Sequence, residues 1–270
     1  MARDFSKTLA NRISVGNGTF GTLLNGAAKI SAHLWARADT FTNSLDVGNR
    51  LFTVIINGTV STGVSMNVDT LTGANDTLSV LARSQTADGL QAKKGTSNLS
   101  TGVWYALGCM IDIGGDTITP YVNGVAEGGG AVTFGAATYT HGTPTQPDIL
   151  GHLSEASVST GDQWDGLLAE FALWTDDIGL NAFKALARGV DPFHASPVRP
   201  KVWLPLWGRH SPEIELIANK VGTITGSVPA GNHAPVASFT STRWPSSSFS
   251  APAAAGVPRH MMHYSRLRAA

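Results

Sequence analysis

The amino-acid sequence predicts an all-β protein: an antiparallel β-sandwich with one short helix and an extended C-terminal arm. Glycine is abundant, with 30 residues in 270, and the Asn-Gly pairs at 25–26, 57–58 and 123–124 are typical of tight turns. The segments between the turns are short, rich in Thr, Val and Ile, and often alternate between apolar and polar residues. Only one segment has the spacing of an amphipathic helix. A chain of this length can form one large β-domain.

Two segments predict strands with different surroundings. Residues 30–37 alternate, which turns one set of side chains towards a core and the other set away from it. The inward set is Ile30, Ala32, Leu34 and Ala36, and the outward set is Ser31, His33, Trp35 and Arg37. Residues 104–112 are apolar on both faces and predict a central strand between two layers. The single cysteine, Cys109, lies there and is interpreted as a small buried hydrophobe.

A hairpin is predicted where residues 118–122 lead into Asn123 and Gly124. Both turn residues tolerate a positive φ, as a two-residue type I′ turn requires. Pro120 has no backbone N–H to donate, so its strand is expected to lie at an edge or to be bulged there.

One helix is predicted after residue 177. Asp176 or Asp177 can cap its N-terminus, and Gly189 can end it in the left-handed conformation. The apolar residues at helical spacing between them are Leu180, Phe183 and Ala187. Residues 202–207 then predict a closing strand.

The end of the chain differs in composition from the rest. From about residue 240 it consists mainly of Ser, Ala, Pro and Arg, which cannot bury enough surface to fold alone. We therefore expect a sandwich domain over residues 1–239 and an extended arm over residues 240–270. The 55 residues after Glu215 contain five basic and no acidic side chains, so the first 215 residues carry the balancing charge of −5. Such an arm can dock on an acidic surface, whereas five scattered charges are a poor basis for nucleic-acid binding.

The order of these segments resembles a known family. The strand with Trp35 is followed by Gly-Val-Trp-Tyr-Ala-Leu at 102–107, Tyr-Val-Asn-Gly at 121–124 and Ile-Leu-Gly at 149–151. Trp-Asp-Gly-Leu-Leu-Ala-Glu-Phe-Ala-Leu-Trp at 164–174, the helix and Gly-Val-Asp-Pro at 189–192 complete the series. Over residues 13–230 this order resembles the laminin G-like branch of the concanavalin A-like lectin/glucanase superfamily. The resemblance implies a jelly-roll sandwich. Pro120 and the Gly/Thr-rich segment 60–100 depart from the pattern and bear on edge pairing and loop lengths.

Enzymatic activity is not expected. Retaining glycoside hydrolases of the superfamily need two carboxylates about 5–5.5 Å apart. The resemblance would supply them from a Glu-x-Asp-x-x-Glu strand, but the nearest match begins at Glu170 and has Ala172 and Thr175 at the other two positions. No catalytic residue and no cofactor are therefore predicted. Gly16, Gly18 and Gly21 formally match a dinucleotide fingerprint, but no helix is expected to follow them, and they are interpreted as a glycine turn.

A glycan site is the main candidate for binding. Its candidate residues are Trp164, expected to be exposed for stacking, and the neighbouring Asp162 and Asp165. The tryptophans in strand-like segments, which are Trp35, Trp104 and Trp174, are interpreted as structural. Calcium is an alternative ligand of the loop aspartates Asp162, Asp165, Asp176 and Asp177, although no dense Asp-x-Asp loop is present.

Three functions remain open: a structural subunit of a virus particle, a carbohydrate-binding adhesin, and an enzyme or unrelated binding module. Short laminin G-like proteins with a Pro/Arg-rich tail resemble bacteriophage products, which favours a structural subunit on the virion surface, made in the host cytoplasm. Its partners would be neighbouring capsid or tail subunits, or further copies of the chain, and no membrane partner is expected. The predicted contact residues of the arm are Arg243, Trp244, Phe249, Arg259, His263, Tyr264, Arg266, Leu267 and Arg268. The alternative is a carbohydrate-binding adhesin that recognises host surface glycans.

Overall fold

The computed structural model describes residues 2–6, 11–41, 48–58, 61–69, 76–153, 163–208, 211–218 and 220–236. All of them belong to the first of two compact units, Met1–Ala237. The predicted arm residues and Asp162 lie outside the described residues.

The described strands form two antiparallel sheets, and they are numbered along the chain. In spatial order, sheet A consists of β10 (Val125–Ala126), β9 (Thr117–Val122), β8 (Tyr105–Asp112), β3 (Lys29–Ala38), β13 (Gly166–Trp174), β1 (Ala2–Phe5) and β17 (Ala230–Gly231). Two further strands of sheet A lie outside this order: β11 (Gly130–Ala131) pairs with β9, and β14 (Val202–Leu204) pairs with β13.

Sheet B packs against sheet A. In spatial order it consists of β15 (Glu213–Ile214), β16 (Val221–Thr225), β2 (Arg12–Asn17), β12 (Pro147–Leu150), β4 (Arg50–Asn57), β5 (Ser61–Asp69), β6 (Thr77–Ala82) and β7 (Gln91–Lys94). The segment 60–100, expected to alter loop lengths, thus supplies β5 and β6, two fully paired strands.

The core lies between the two sheets. Phe171 of sheet A meets Phe52 of sheet B with ring centroids 4.9 Å apart, and Phe20 packs on the other side of Phe171 at 5.6 Å. Alternating aliphatic residues of both sheets fill the rest of this layer. The predicted all-β sandwich is confirmed.

The alternation of residues 30–37 is confirmed in β3, whose inward set belongs to the core between the sheets. The outward set is largely buried as well: His33 is 2% and Trp35 5% exposed. Ala234 and Val236, from the last described segment, belong to the same apolar cluster as Trp35. The outer face of sheet A is therefore covered by a second apolar layer.

The predicted helix is confirmed as α2 (Gly179–Ala187). Asp177 Oδ1 accepts a hydrogen bond from the Gly179 N–H at 2.8 Å, and Gly189 has the left-handed φ of +85°. The buried face differs from the expected one, because Leu180 is 43% exposed. Residues 182, 183 and 186 face the sheet instead.

The site where α2 rests on sheet A is set by a glycine. A side chain at Gly108 in β8 would come within 2.7 Å of the Phe183 ring. Without one, Phe183 lies flat against the sheet and stacks on Tyr121, with centroids 3.9 Å apart and an interplanar angle of 12°. Among the described helices, none is long and apolar enough to cross a membrane.

The predicted hairpin joins β9 to β10, with Asn123 at φ +50° and Gly124 at φ +78°. Pro120 lies next to the outer end of sheet A. Its carbonyl accepts the Glu127 N–H at 2.8 Å, so its missing N–H faces the irregular edge between β10 and β11 rather than β8.

One expectation about the glycine turn is wrong: a helix, α1 (Thr19–Leu24), does follow it. Its N-terminus is already occupied by a side chain of β12. Asp148, buried in the core, accepts hydrogen bonds from the N–H groups of Phe20 at 2.6 Å and Ile55 at 2.9 Å. The interpretation as a structural turn is therefore kept, because a protein carboxylate stands where a phosphate would bind.

Candidate functional site

The expectation that Trp164 is exposed is wrong. Its side chain is 2% exposed and belongs to the core between the sheets. Its ring meets Phe41 edge-on at 6.5 Å, and its backbone N–H donates to the Gly151 carbonyl at 2.9 Å. The polar residues next to Trp164 in the sequence therefore do not indicate the surroundings of its side chain.

Asp165 holds a turn rather than an open site. Its Oδ2 accepts the Thr40 hydroxyl at 2.5 Å, and its carbonyl accepts the Asp39 N–H at 2.9 Å. Nearby, burial and the charge of Asp39 raise the pKa of Asp4, with a smaller contribution from Asp165, while Arg37 opposes them.

The described aspartates among the calcium candidates bind backbone N–H groups of the chain instead. Asp176 Oδ1 accepts the Asp177 N–H and Asp177 Oδ1 accepts the Gly179 N–H, both at 2.8 Å, so both carboxylates hold the turn that leads into α2. Within the described ranges, no group of three or more His, Cys, Asp or Glu side chains is placed to hold a metal ion.

A different site forms on the outer face of sheet A, around a bulge in β13. The pairing of β13 with β3 shifts register between Ala169 and Ala172, and Glu170 at the bulge has φ +52°. The Glu170 N–H leaves the ladder and donates to the Pro205 carbonyl at 3.1 Å. A bulge of this kind re-aims one side chain. Here it is a glutamate, buried to 4% exposure.

Backbone strain singles out the same place. Five described non-glycine residues have a positive φ, and three of them are Asn or Asp, which tolerate it. The other two are Glu170 and Leu206, at φ +57°. Both lie in this site, since Leu206 follows the Pro205 that accepts the Glu170 N–H. Strain in such residues is characteristic of functional sites.

Two tryptophans point their indole N–H groups at the Glu170 carboxylate. Trp203 donates to Oε2 at 2.8 Å, and Trp207 donates to Oε1 at 3.4 Å. His233 Nε2 lies 3.4 Å from the same Oε1, while its Nδ1 is 3.1 Å from the Ala234 carbonyl. Oε2 is thus well satisfied, whereas Oε1 has two long contacts and keeps capacity to accept a hydroxyl group.

The segment that carries both tryptophans, β14 and the residues that follow it, is fixed by two buried glutamates. Glu215 Oε1 accepts the Trp203 N–H at 2.7 Å, and Glu213 Oε1 accepts the Gly208 N–H at 3.0 Å. Arg3 pairs with Glu213 and also donates to the Val228 carbonyl at 2.6 Å. The backbone is therefore anchored before and after Trp207, and Trp207 itself remains 38% exposed.

His33 lies beside the bulge, on the outer face of β3. Burial lowers its pKa to about 3, and the backbone of Glu170 offsets only part of this shift. Neither ring nitrogen meets a described group with hydrogen-bond geometry, and the ring contacts Trp35 edge-on at 6.4 Å. A neutral, buried His33 thus forms part of the floor beneath the Glu170 cluster.

The sequence alone does not indicate this site. It presents Glu170 only as the remnant of a catalytic motif, and it predicts only a strand over residues 202–207. The available signal was the pair of tryptophans four residues apart at 203 and 207, because β14 ends at Leu204 and leaves Trp207 in a loop.

The site presents one indole that is 38% exposed, one indole of intermediate exposure and one buried carboxylate whose Oε1 has only two contacts of 3.4 Å. Such a set can stack on an apolar ring face and accept a hydroxyl hydrogen bond at its edge.

Comparison with known proteins supports the fold. Among solved structures, the chain is similar to a putative carbohydrate binding protein from Bacteroides ovatus ATCC 8483, with 18% identity and a TM-score of 0.63. The match covers 87% of this chain but only 61% of that one. A native heptameric SAP-like pentraxin from Limulus polyphemus is similar at 13% identity and TM-score 0.55, over 82% of this chain and 94% of that one.

A third structure is the CBM40 of a Ruminococcus gnavus IT-sialidase bound to alpha2,3 sialyllactose, at 11% identity and TM-score 0.50, over 69% of this chain and 96% of that one. At these identities the likeness shows the fold alone. A comparison with curated proteins gave no match. A laminin G family profile, described as the Concanavalin A-like lectin/glucanases superfamily, matches residues 10–179, more than half of the chain, and the chain therefore belongs to this superfamily.

Proposed function

We propose that this protein is a non-enzymatic carbohydrate-binding module, and that Trp207, Trp203, Glu170 and His233 form its binding site. The observation that carries the proposal is Trp207: an indole that is 38% exposed and directs its N–H at a buried carboxylate, 3.4 Å from Glu170 Oε1. A side chain that is oriented before the ligand arrives loses less entropy on binding.

The chemistry suits a sugar ring. A pyranose has an apolar C–H face that stacks on an indole, and hydroxyl groups around its rim that donate to carboxylates. Trp207 offers the first and Glu170 Oε1 the second. Charged acceptors form the stronger hydrogen bonds, which makes Glu170 the main source of orientation.

The fold supports the same proposal. The Bacteroides ovatus protein is called a carbohydrate binding protein, and the Ruminococcus gnavus module was solved with a sialylated sugar. Fold alone does not give a function, so the argument depends on the residues of the site.

A hydrolytic role fits these residues poorly. The Oε2 of Glu170 is taken by an indole N–H, while Ala172 and Thr175 stand where further carboxylates of the catalytic motif would be. A retaining hydrolase needs a second carboxylate about 5–5.5 Å away.

The test is a glycan array followed by isothermal titration calorimetry with the strongest free oligosaccharide. The Trp207→Ala chain is expected to lose at least tenfold in affinity, because the stacking surface is gone, and Glu170→Gln to lose several-fold. Val125→Ala is the control, since Val125 is 58% exposed on β10, away from the site. Unchanged affinity in Trp207→Ala, with glycan binding present in the parent chain, would refute the proposed site.

A virion structural role is the second candidate, and the acid-free C-terminal segment is the observation in its favour. In that role the protein sits on the particle surface and residues 240–270 contact neighbouring subunits. A chain ending at Thr240 would then stay folded and fail to join particles. Incorporation of that chain at normal occupancy would exclude the role of the arm.

A further inference from the structure

Exposed apolar side chains concentrate at one edge of sheet B. In the part of the chain that the structure describes, nine large apolar residues are exposed, and five of them lie between residues 207 and 221. One is Trp207 of the site described above. The other four belong to β15, β16 and the loop between them, and they are called the Leu216 patch: Ile214, Leu216, Ile217 and Val221, each between 38% and 53% exposed. A concentration of this kind marks a surface that meets a partner.

The hairpin turns its acidic side chains inward and its apolar side chains outward. Glu213 and Glu215 are 2% and 1% exposed, whereas Ile214 and Leu216, which alternate with them, face solvent. The register places Val221 directly opposite Ile214, and paired residues of antiparallel strands share a face. Water favours the opposite arrangement, so the outer face of this hairpin is not explained by solubility.

The loop of the hairpin also satisfies its own backbone N–H groups. Those of Glu215 and Leu216 donate to backbone carbonyls, at 3.0 and 2.9 Å. The buried Glu215 carboxylate accepts the next two: Oε1 accepts the Ile217 N–H at 2.9 Å, and Oε2 accepts the Ala218 N–H. Four consecutive N–H groups beside exposed aliphatic side chains therefore have acceptors within the protein.

This combination fits a lipid surface. Water at an exposed loop, or a protein partner, can supply hydrogen-bond acceptors, but the hydrocarbon part of a bilayer supplies none. A segment that enters the hydrocarbon has to bring its acceptors with it, and the Glu215 carboxylate serves that purpose here. Lys220, exposed at the end of the loop, has an apolar stem that can lie along the hydrocarbon while its ammonium group stays among the headgroups.

We propose that the Leu216 patch inserts into the surface of a lipid bilayer, with its four aliphatic side chains below the headgroups and Lys220 at their level. The sequence predicts no membrane partner, because a hairpin loop is far shorter than the roughly 20 apolar residues of a membrane span. Insertion does not depend on sugar binding, since phospholipid alone supplies the whole contact.

The test is flotation of the full chain with phosphatidylcholine vesicles that contain no glycolipid. The parent chain is expected to float with the vesicles, and to do so at high salt as well, because apolar contacts are not screened. The Leu216→Ser, Ile217→Ser double variant is expected to lose at least tenfold in its partition coefficient, because two aliphatic side chains no longer enter the hydrocarbon. Leu180→Ser is the matched control: Leu180 and Leu216 are both 43% exposed, but Leu180 lies on α2, and its variant should float like the parent.

The temperature of half-unfolding should be the same in all three chains, because the changed side chains are exposed. A parent chain that stays with the free protein, or a double variant that floats as the parent does, would overturn the proposal. Light scattering without lipid tests the competing occupant: a parent dimer that becomes a monomer in the double variant would make the patch an interface between two copies of the chain. Because the vesicles carry no sugar, none of these results depends on the Trp207 site, which the glycan array tests separately.

Discussion

Replacing His33 by leucine gives a sharp test of the layer that covers sheet A. His33 is buried, its ring nitrogens lack partners among the described groups, and burial lowers its pKa to about 3. In the unfolded chain an ordinary histidine has a pKa near 6.5. Between these values the unfolded state binds a proton and the folded state does not. The stability that depends on neutral His33 is therefore complete above pH 6.5 and is lost as the pH falls towards 3.

The size of the effect follows from the shift. Each pH unit between the two pKa values is worth about 1.4 kcal/mol. Lowering the pH from 6.5 to 5 should therefore cost the parent chain roughly 2 kcal/mol through His33 alone, and the His33→Leu chain nothing. The variant should become more stable relative to the parent by that amount as the solution is acidified.

The assay is urea unfolding of both chains at pH 7, 6 and 5, followed by tryptophan fluorescence. Other titrating groups are shared by the two chains, so the difference in unfolding free energy isolates His33. The His194→Gln chain, changed at a histidine whose side chain is 69% exposed, is the control. A difference between His33→Leu and the parent that stays constant from pH 7 to pH 5 would refute the argument that His33 is buried and neutral.

Two further substitutions test the core. Trp164→Ala should lower the free energy of unfolding by about 3–5 kcal/mol, because a buried aromatic ring is removed. Urea unfolding at pH 7 measures this loss. A loss below about 1 kcal/mol would contradict the place of Trp164 in the core. Burial raises the pKa of Asp148 to about 7. Above about pH 4 the unfolded state therefore releases a proton that the folded state still holds. The contribution of Asp148 to the free energy of unfolding falls as the pH rises towards 7. Asp148→Asn should lower the free energy of unfolding by about 1–3 kcal/mol, because the amide nitrogen cannot accept the Phe20 or Ile55 N–H. The same unfolding series should show that this pH dependence is gone. If the free energy of unfolding of the variant changes with pH between 5 and 7 as it does in the parent, the pKa of Asp148 is not raised.

Much of the fold could be predicted from the sequence because the signals are local. The alternation of β3, the Asn123-Gly124 turn and the amphipathic helix α2 each depend on residues close in the chain. Helix α1 could not be predicted in this way. It has only six residues, and its N-terminus is held by Asp148, 128 residues away from Phe20. Short helices owe their stability to such tertiary contacts.

The candidate site was beyond local reasoning for the same cause. Glu170, Trp203, Trp207 and His233 come from distant parts of the chain and meet only through the bulge in β13. Trp164 is the opposite case: its polar neighbours in the sequence predict an exposed side chain, but its ring lies in the core. The composition of a segment does not predict the direction in which one of its side chains points.

The most direct test of the carbohydrate-binding proposal is a ¹H–¹⁵N correlation spectrum of the chain, titrated with the oligosaccharide that binds best on the array. The chain has seven tryptophans, and their indole N–H signals can be assigned by single substitutions. The Trp207 and Trp203 signals are expected to shift with the sugar, and those of the buried Trp164 and Trp174 to stay in place. Shifts confined to Trp164 or Trp174, or saturation by sugar with the Trp207 signal unmoved, would contradict it.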